Sequence, residues 1–375
     1  MKDPRIEKLA RLLCRYSLNL KPRDVIAITS DALAAPLIRA CYREALRCGA
    51  FVTTDLRIEA LDEIFYAEAN ADQIKWVSPF AKYKLQKIDA SLGIWADENT
   101  KALTNVDPKR LAAASSARKP LNKIYMQRSA SGALRWVGTQ WPCQASAQDA
   151  EMSLEEYEDF VYGAGHLDDA DPVKTWKRIS KEQQALTDFL NKAREVRIVA
   201  DGTDLRYSCK GRKWINCDGH YNFPDGEVFT GPVESSVTGT ISFSFPAVHH
   251  GREVEGARLT FESGKVVKAE ARKGEEFLKA MVAMDKGSCY LGEAAIGTNY
   301  NVKRYTKNTL FDEKIGGSIH VALGAGYPET GNHNQSGLHW DMVCDLRGGG
   351  EIIVDGEVIQ RAGRFLNKKF PQPTR

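Results

Sequence analysis

The sequence lacks a large net charge of either sign. Its 52 lysines and arginines nearly balance its 49 aspartates and glutamates, which leaves a formal charge of +3. It also lacks any apolar run near the roughly 20 residues that span a bilayer. Its N-terminus alternates charged and apolar residues, unlike a signal peptide. The basic excess of a nucleic-acid-binding protein is missing too. We therefore expect a cytoplasmic protein that binds neither nucleic acid nor membranes.

Cysteine and histidine are sparse. None of the eight cysteines forms a C-x-x-C motif, so we expect reduced thiols rather than a disulfide framework. Histidine is absent before His166, and six of the seven histidines fall between His220 and His339. P-loop, nucleophile-elbow and dinucleotide-binding fingerprints are also missing. Any imidazole chemistry therefore belongs to the second half of the chain.

Length and pattern predict two domains, since 375 residues exceed what one hydrophobic core usually organises. The first half alternates short apolar strands with helices, for example a strand at Val25–Ile28 and a helix over Leu33–Cys48. Ile124–Met126 is predicted to be a further strand. Such alternation is typical of an α/β domain with a mostly parallel sheet, which we place at residues 1–190.

The second half changes character, because helical periodicity nearly vanishes after Val196. Alternating β-branched runs follow one another between glycine and aspartate turns. Asp355-Gly356 between two apolar pairs predicts a β-hairpin, and one helix is expected near Glu275–Met284. We expect a β-rich α+β domain at residues 191–375, and this domain holds the candidate catalytic residues.

Four segments of that domain place acids or imidazoles on strands or beside turns: Glu227 after a Pro-Asp-Gly turn, Glu293 in LGEAAIG, His320 in IHVAL, and His339-Trp340-Asp341. Residues two apart on a strand share a face, so His339 and Asp341 project together and suit a divalent ion. Each segment alone has an ordinary explanation, such as a solvated turn or a core histidine. Together, two histidines and three carboxylates match a two-metal site with a bridging carboxylate.

These segments also carry a family resemblance. NFPDGEVFTGPVE, LGEAAIGTN, DEKIGGSIHVALGAGY and LHWDMV, in that order, resemble the M29 family of thermophilic metallo-aminopeptidases. KLARLLCRYSLNLKPRDVIAI resembles the family's N-terminal domain, so the likeness covers nearly the whole chain. The resemblance implies two divalent metal ions (Zn, Co, Mn or Mg) bound by two glutamates, two histidines and one aspartate, which fall on Glu227, Glu293, His320, His339 and Asp341.

The resemblance further implies hydrolysis of the N-terminal residue from peptides with a free N-terminus, through metal-activated water. Glu293 is then the expected bridging carboxylate and a catalytic residue. A family tyrosine falls on Tyr327, where it could donate a hydrogen bond to the oxyanion. The family suggests a homodimer. Some members carry a longer insertion before the H-x-D strand, whereas here AGYPETGNHNQSG is short and includes His333.

Two other functions stay open on the sequence. His320, His339 and Asp341 alone could form the two-His-one-carboxylate triad of a mononuclear non-haem iron ring-cleaving dioxygenase. Such a triad requires neither Glu227 nor Glu293. A catalytically inactive peptide-binding relative would be expected to have a damaged ligand set, and the set here is complete.

Overall fold

The computed structural model describes residues 3–249 and 251–373. Its α-helices are α1 (Pro4–Leu12), α2 (Ala35–Arg47), α3 (Ala60–Glu68), α4 (Ala71–Lys75), α5 (Pro79–Lys87), α6 (Pro108–Ala117), α7 (Lys119–Ala130), α8 (Gln144–Asp149), α9 (Leu154–Ala164), α10 (Pro172–Leu190), α11 (Glu275–Val282) and α12 (Thr309–Asp312). Across these two ranges, no helix combines the length and the apolar character needed to cross a membrane.

The strands follow the same chain order. They are β1 (Val25–Asp31), β2 (Phe51–Arg57), β3 (Ala90–Trp95), β4 (Arg135–Gln140), β5 (Glu195–Ala200), β6 (Thr203–Ser208), β7 (Ile215–Cys217), β8 (Asn222–Phe223), β9 (Glu227–Thr230), β10 (Thr238–Ser242), β11 (Ala247–His249), β12 (Arg252–Val254), β13 (Arg258–Glu262), β14 (Lys265–Glu270), β15 (Leu291–Gly297), β16 (Ser318–Gly324), β17 (His339–Asp345), β18 (Glu351–Val354), β19 (Glu357–Arg361) and β20 (Arg364–Phe365). Helices dominate before residue 191 and strands dominate after it.

By compactness the chain divides into two units. The first comprises the residues up to Val173 together with Gly219–Phe223, and the second comprises Lys174–Asp218 and the residues from Pro224 onward. The predicted boundary at 190/191 lies at the C-terminal end of α10, and almost all of that helix belongs to the second unit.

The first unit is built on a parallel five-stranded sheet with the order β2-β1-β3-β4-β8. The interior strand β1 is largely buried, as expected where helices cover a parallel sheet. The helix α2 packs against β1 and β2. These features confirm the predicted α/β fold of the N-terminal half.

One predicted strand is wrong. Ile124–Met126 lies inside α7, whose first turn contains Pro120. Three apolar residues are too few to distinguish a strand from a helix. A proline in the first turn and helix-favouring residues on both sides of Ile124–Met126 favour the helix over a strand.

The second unit contains two large sheets. One has eight strands in the order β14-β13-β10-β6-β5-β18-β19-β20, and the other has five in the order β17-β16-β15-β9-β7. Among the described residues, the strand pairs in both sheets are antiparallel, as predicted. Buried side chains from both sheets form one hydrophobic core cluster. The helix expected near Glu275–Met284 is α11.

The five-stranded sheet uses its two faces differently. Every second residue of β16 and β17 joins the core cluster, and these are Ile319, Val321, Leu323, Trp340, Met342 and Cys344. Because strand side chains alternate between faces, the residues between them point to the opposite face. The opposite face therefore carries the polar side chains of these strands.

The predicted hairpin at Asp355-Gly356 is confirmed. Val354 pairs with Glu357, so the two residues form the connection between β18 and β19. Both have positive φ, 48° at Asp355 and 89° at Gly356, as a type I′ turn requires. The Asp355 carboxylate also accepts hydrogen bonds from the backbone N–H groups of Arg194 and Glu195.

Replacing Gly356 should therefore cost stability through backbone strain alone. A Cβ at Gly356 would meet nothing within 4 Å, but the left-handed conformation is unfavourable for alanine. We expect Gly356→Ala to lower the free energy of unfolding by about 1–2 kcal/mol. Gly348→Ala is the control, because that position is equally open and has no positive φ. Equal urea denaturation midpoints for the two variants would contradict this assignment.

Candidate metal centre

The five predicted metal-binding residues lie on four adjacent strands of the five-stranded sheet. Glu227 begins β9, Glu293 lies on β15, His320 on β16, and His339 and Asp341 on β17. Neighbouring positions on these strands belong to the core cluster. The structure thus brings all five side chains together on the face of the sheet opposite the core.

Strand register explains how carboxylates from different strands meet. Ala322 of β16 pairs with Glu293 on one side and with Asp341 on the other. The shift in register between Leu291 and Glu293 is a bulge, a device that redirects side chains. The two carboxylates therefore lie on either side of the small Ala322 side chain.

The backbone before Glu227 is held by a tight turn. Gly226 has φ of 125°, and a Cβ there would lie 2.6 Å from the Cβ of Asn299. The Gly226 carbonyl accepts a hydrogen bond from the Thr298 N–H, which follows β15. The Asn299 side-chain amide donates to the Asp225 carbonyl. Only glycine fits this approach, which sets the direction in which Glu227 enters its strand.

The ligand atoms form two groups that share Glu293. In the first, the His320 Nε2 atom lies 3.4 Å from Glu227 Oε2 and 3.5 Å from Glu293 Oε1. In the second, the His339 Nε2 atom lies 3.6 Å from Glu293 Oε2 and 3.3 Å from Asp341 Oδ2. Ligands about 2.0–2.2 Å from a tetrahedral ion are about 3.3–3.6 Å from one another. The spacing of both groups suits a divalent ion.

Two buried carboxylate oxygens of this cluster lack a hydrogen-bond partner. Glu227 Oε2 and Asp341 Oδ1 are inaccessible to solvent, and no donor among the described residues forms a hydrogen bond with either. A buried carboxylate oxygen left unpaired is costly, so it is rare unless something outside the chain satisfies it. Each of these oxygens borders His320 Nε2. The donor set therefore fits cations held between these side chains.

Backbone carbonyls orient both imidazoles. The Nδ1 atom of His320 lies 3.2 Å from the Glu313 carbonyl, and the Nδ1 atom of His339 lies 2.9 Å from the Ala325 carbonyl. A carbonyl only accepts, so Nδ1 must be the protonated nitrogen in each ring. In the neutral imidazole the lone pair is then on Nε2, the atom that faces the carboxylates.

Charges within the cluster shift the pKa values of both histidines. Burial lowers the pKa of His320, but the hydrogen bond with Glu293 and the charge of Glu227 outweigh burial and raise it to about 9. Burial likewise lowers the pKa of His339, and Asp341 outweighs it and raises the value to about 10. The acids respond in opposite directions: burial raises the pKa of Glu293, while for Asp341 the two histidines overcome burial and lower the pKa.

Tyr327 borders the second group of ligands. Its ring centroid lies 5.5 Å from that of His339 and 5.3 Å from that of Phe229. The residue is 39% exposed. Burial of the phenol, followed by the charge of Glu293, nevertheless raises its pKa above the ordinary value. At neutral pH it is a hydrogen-bond donor. His333, in contrast, is exposed, and its backbone N–H donates to Glu234.

Two charged residues in the cluster were not predicted. Glu313 has an oxygen close to ligand atoms of His320 and Asp341. Lys314 is completely buried, with its Nζ atom 2.8 Å from Glu227 Oε1 and 2.7 Å from Glu313 Oε2. Both belong to the segment DEKIGG, whose charges read as an exposed turn. The only sequence signal is their place next to the His320 strand.

The comparisons with known proteins agree with one another. Residues 2–365 match the family described as thermophilic metalloprotease (M29). Aminopeptidase PepS of Streptococcus thermophilus is 27% identical over 94% of each chain. Aminopeptidase T of Thermus aquaticus is 28% identical, over 93% of this chain and 90% of the relative. The fold matches wild-type AmpT from Thermus thermophilus with a TM-score of 0.84 and 24% identity, over 97% of this chain and 99% of that one.

Divalent metal should stabilise this protein through the unpaired oxygens. For one site at a free metal concentration of 100 times Kd, the free energy of unfolding should rise by about 2.7 kcal/mol. Thermal unfolding of chelator-treated protein with added Zn²⁺ or Co²⁺ measures this rise. Asp341→Asn should lose most of it over the same metal range. The exposed Asp201→Asn is the control. A full metal-dependent shift in Asp341→Asn would contradict the site.

Proposed function

The chain belongs to the thermophilic metalloprotease family M29, and we propose that it is a dinuclear-metal aminopeptidase that removes the N-terminal residue from peptides. The activities in the names of its relatives support this reaction class. The observation that carries the proposal is that buried oxygens of Glu227 and Asp341 have no hydrogen-bond partner among the described residues. They lie among histidines whose Nε2 atoms face the same region.

Each group of ligands would hold one ion. Glu227 and His320 would serve the first and His339 and Asp341 the second, with Glu293 offering one oxygen to each. The oxygen and nitrogen donors suit Zn, Co, Mn or Mg. Divalent ions bound there would polarise the scissile carbonyl and lower the pKa of water from 15.7 to about 7.

The protein's own contribution is orientation and charge stabilisation. The Glu313 and Ala325 carbonyls hold the two imidazole rings with Nε2 directed inward. Tyr327 keeps its proton at neutral pH and packs against His339, so its hydroxyl can donate to the substrate carbonyl oxygen as negative charge develops. The strands that carry the ligands are buried against the core, which keeps the ligand geometry fixed.

The alternative functions find less support. A two-His-one-carboxylate iron site would use His320, His339 and Asp341 and would give Glu227 and Glu293 no role as ligands. An inactive peptide-binding relative would not need five inward-facing ligands. Metal analysis separates these cases, because one iron per chain with oxygen uptake would replace the peptidase proposal. The homodimer and the cytoplasmic location remain predictions, and sedimentation velocity tests the first.

Glu293→Gln should abolish turnover and weaken metal retention. The amide keeps the shape of the side chain but removes the charge that would attract both ions. Hydrolysis of leucyl-p-nitroanilide in the presence of Co²⁺ or Zn²⁺, together with metal content after dialysis, tests both effects. Glu262→Gln, at an exposed position of β13, should behave like the wild type. Normal turnover by Glu293→Gln would remove this residue from the site.

Tyr327→Phe should lower kcat by about 10²–10³ while the metal content stays at the wild-type level. This loss is the usual effect of removing one oxyanion donor. Tyr42→Phe is a matched control, since Tyr42 is 40% exposed and Tyr327 is 39% exposed. An acetylated substrate should resist the wild-type enzyme, because an aminopeptidase requires a free amine. Unchanged kcat in Tyr327→Phe would show that the ring only packs there.

A further inference from the structure

Lys314 is a permanent cation inside the candidate metal centre. The residue is completely buried, and its backbone is held by two hydrogen bonds: its N–H donates to Phe311, and its carbonyl accepts from Asn299. The ammonium contacts Glu227 Oε1 at 2.8 Å and Glu313 Oε2 at 2.7 Å. A lysine is almost never fully buried without such partners. The side chain is therefore fixed at both ends.

The two oxygens of Glu227 have different surroundings. Oε1 accepts a hydrogen bond from the Lys314 ammonium. Oε2 is buried, has no hydrogen-bond partner in the described parts of the chain, and lies 3.4 Å from His320 Nε2. A free carboxylate could offer both oxygens to one ion. Here the ammonium holds Oε1, which leaves Oε2 as the oxygen that faces His320.

Glu227 also belongs to another group of potential metal ligands. Cys217, Asp225 and Glu227 have ligand atoms within 4.8 Å of one another; Asp225 and Glu227 are buried and Cys217 is partly buried. Within this group it is the Glu227 carboxylate that the Lys314 ammonium contacts directly. An ammonium therefore already supplies positive charge where this group could otherwise attract another cation.

We propose that Lys314 is a positioning residue of the metal centre, which binds Glu227 Oε1 and Glu313 so that Glu227 presents only Oε2 to the ion it shares with His320. The inference rests on the proposed dinuclear site and extends it to a residue that contacts neither substrate nor metal. Partners of metal ligands commonly contribute 10- to 100-fold to metal affinity or activity.

Lys314→Ala and Lys314→Met test the inference in the full chain. Titration of metal-free protein with Co²⁺, followed by absorption and by metal analysis, should show one of the two ions bound 10- to 100-fold more weakly, with the other changed less than threefold. Methylammonium should restore affinity and kcat in Lys314→Ala, which has space for it, but not in Lys314→Met. Lys279→Met is the control, because it removes an exposed Lys–Glu pair in the same unit.

Three results would overturn the inference. These are wild-type affinity for both ions in the variants, equal weakening of both ions, or failure of methylammonium to restore Lys314→Ala. If Lys314→Ala does not fold, as judged by circular dichroism, Lys314→Met keeps most of the side-chain volume, leaves Glu313 in place and should still show the selective loss. A wild-type protein that binds no pair of ions would instead refute the proposed function itself.

Discussion

Repulsion among buried carboxylates is the constraint on which the second unit depends. Four of them converge on one face of a sheet, namely Glu227, Glu293, Glu313 and Asp341. Removing unpaired charges from water costs several kcal/mol each, so such a cluster is tolerable only with compensating positive charge. Lys314 supplies part of it, and protonated His320 and His339 supply more in the metal-free chain. Divalent ions that displace those protons would complete the compensation.

The sheet satisfies this constraint because one set of strands carries both the core and the site. On β16 and β17, residues of the core cluster alternate with polar residues of the opposite face. Strand pairing then fixes the distance between ligands, as when Ala322 separates Glu293 from Asp341. A displacement of either strand would disturb the hydrophobic core as well. The packing energy of the core therefore holds charged groups in positions that they would not adopt alone.

Short sequence patterns predicted the features that depend only on neighbouring residues in the chain. The two-residue spacing of His339 and Asp341 predicted a shared face, and their 3.3 Å contact bears this out. The Asp355-Gly356 turn was equally predictable, because its backbone conformation depends on those two residues. The strand predicted at Ile124–Met126 was wrong, because three residues are too few to distinguish the periodicity of a strand from that of a helix. Whether the candidate ligands bind metal stays a prediction, since proximity alone is what the fold supplies.

Lys314 shows why part of the site could not be predicted. Its partner Glu227 is 87 positions earlier in the sequence, and the two meet only because β9 and β15 are paired and the turn before β16 returns beside them. That turn also supplies the Glu313 carbonyl that orients His320. This charged turn therefore contacts two of the predicted ligands, Glu227 and His320, although none of its own residues was predicted to bind metal. Orientation of His320 and compensation of the Glu227 charge therefore come from two consecutive residues of one turn, Glu313 and Lys314.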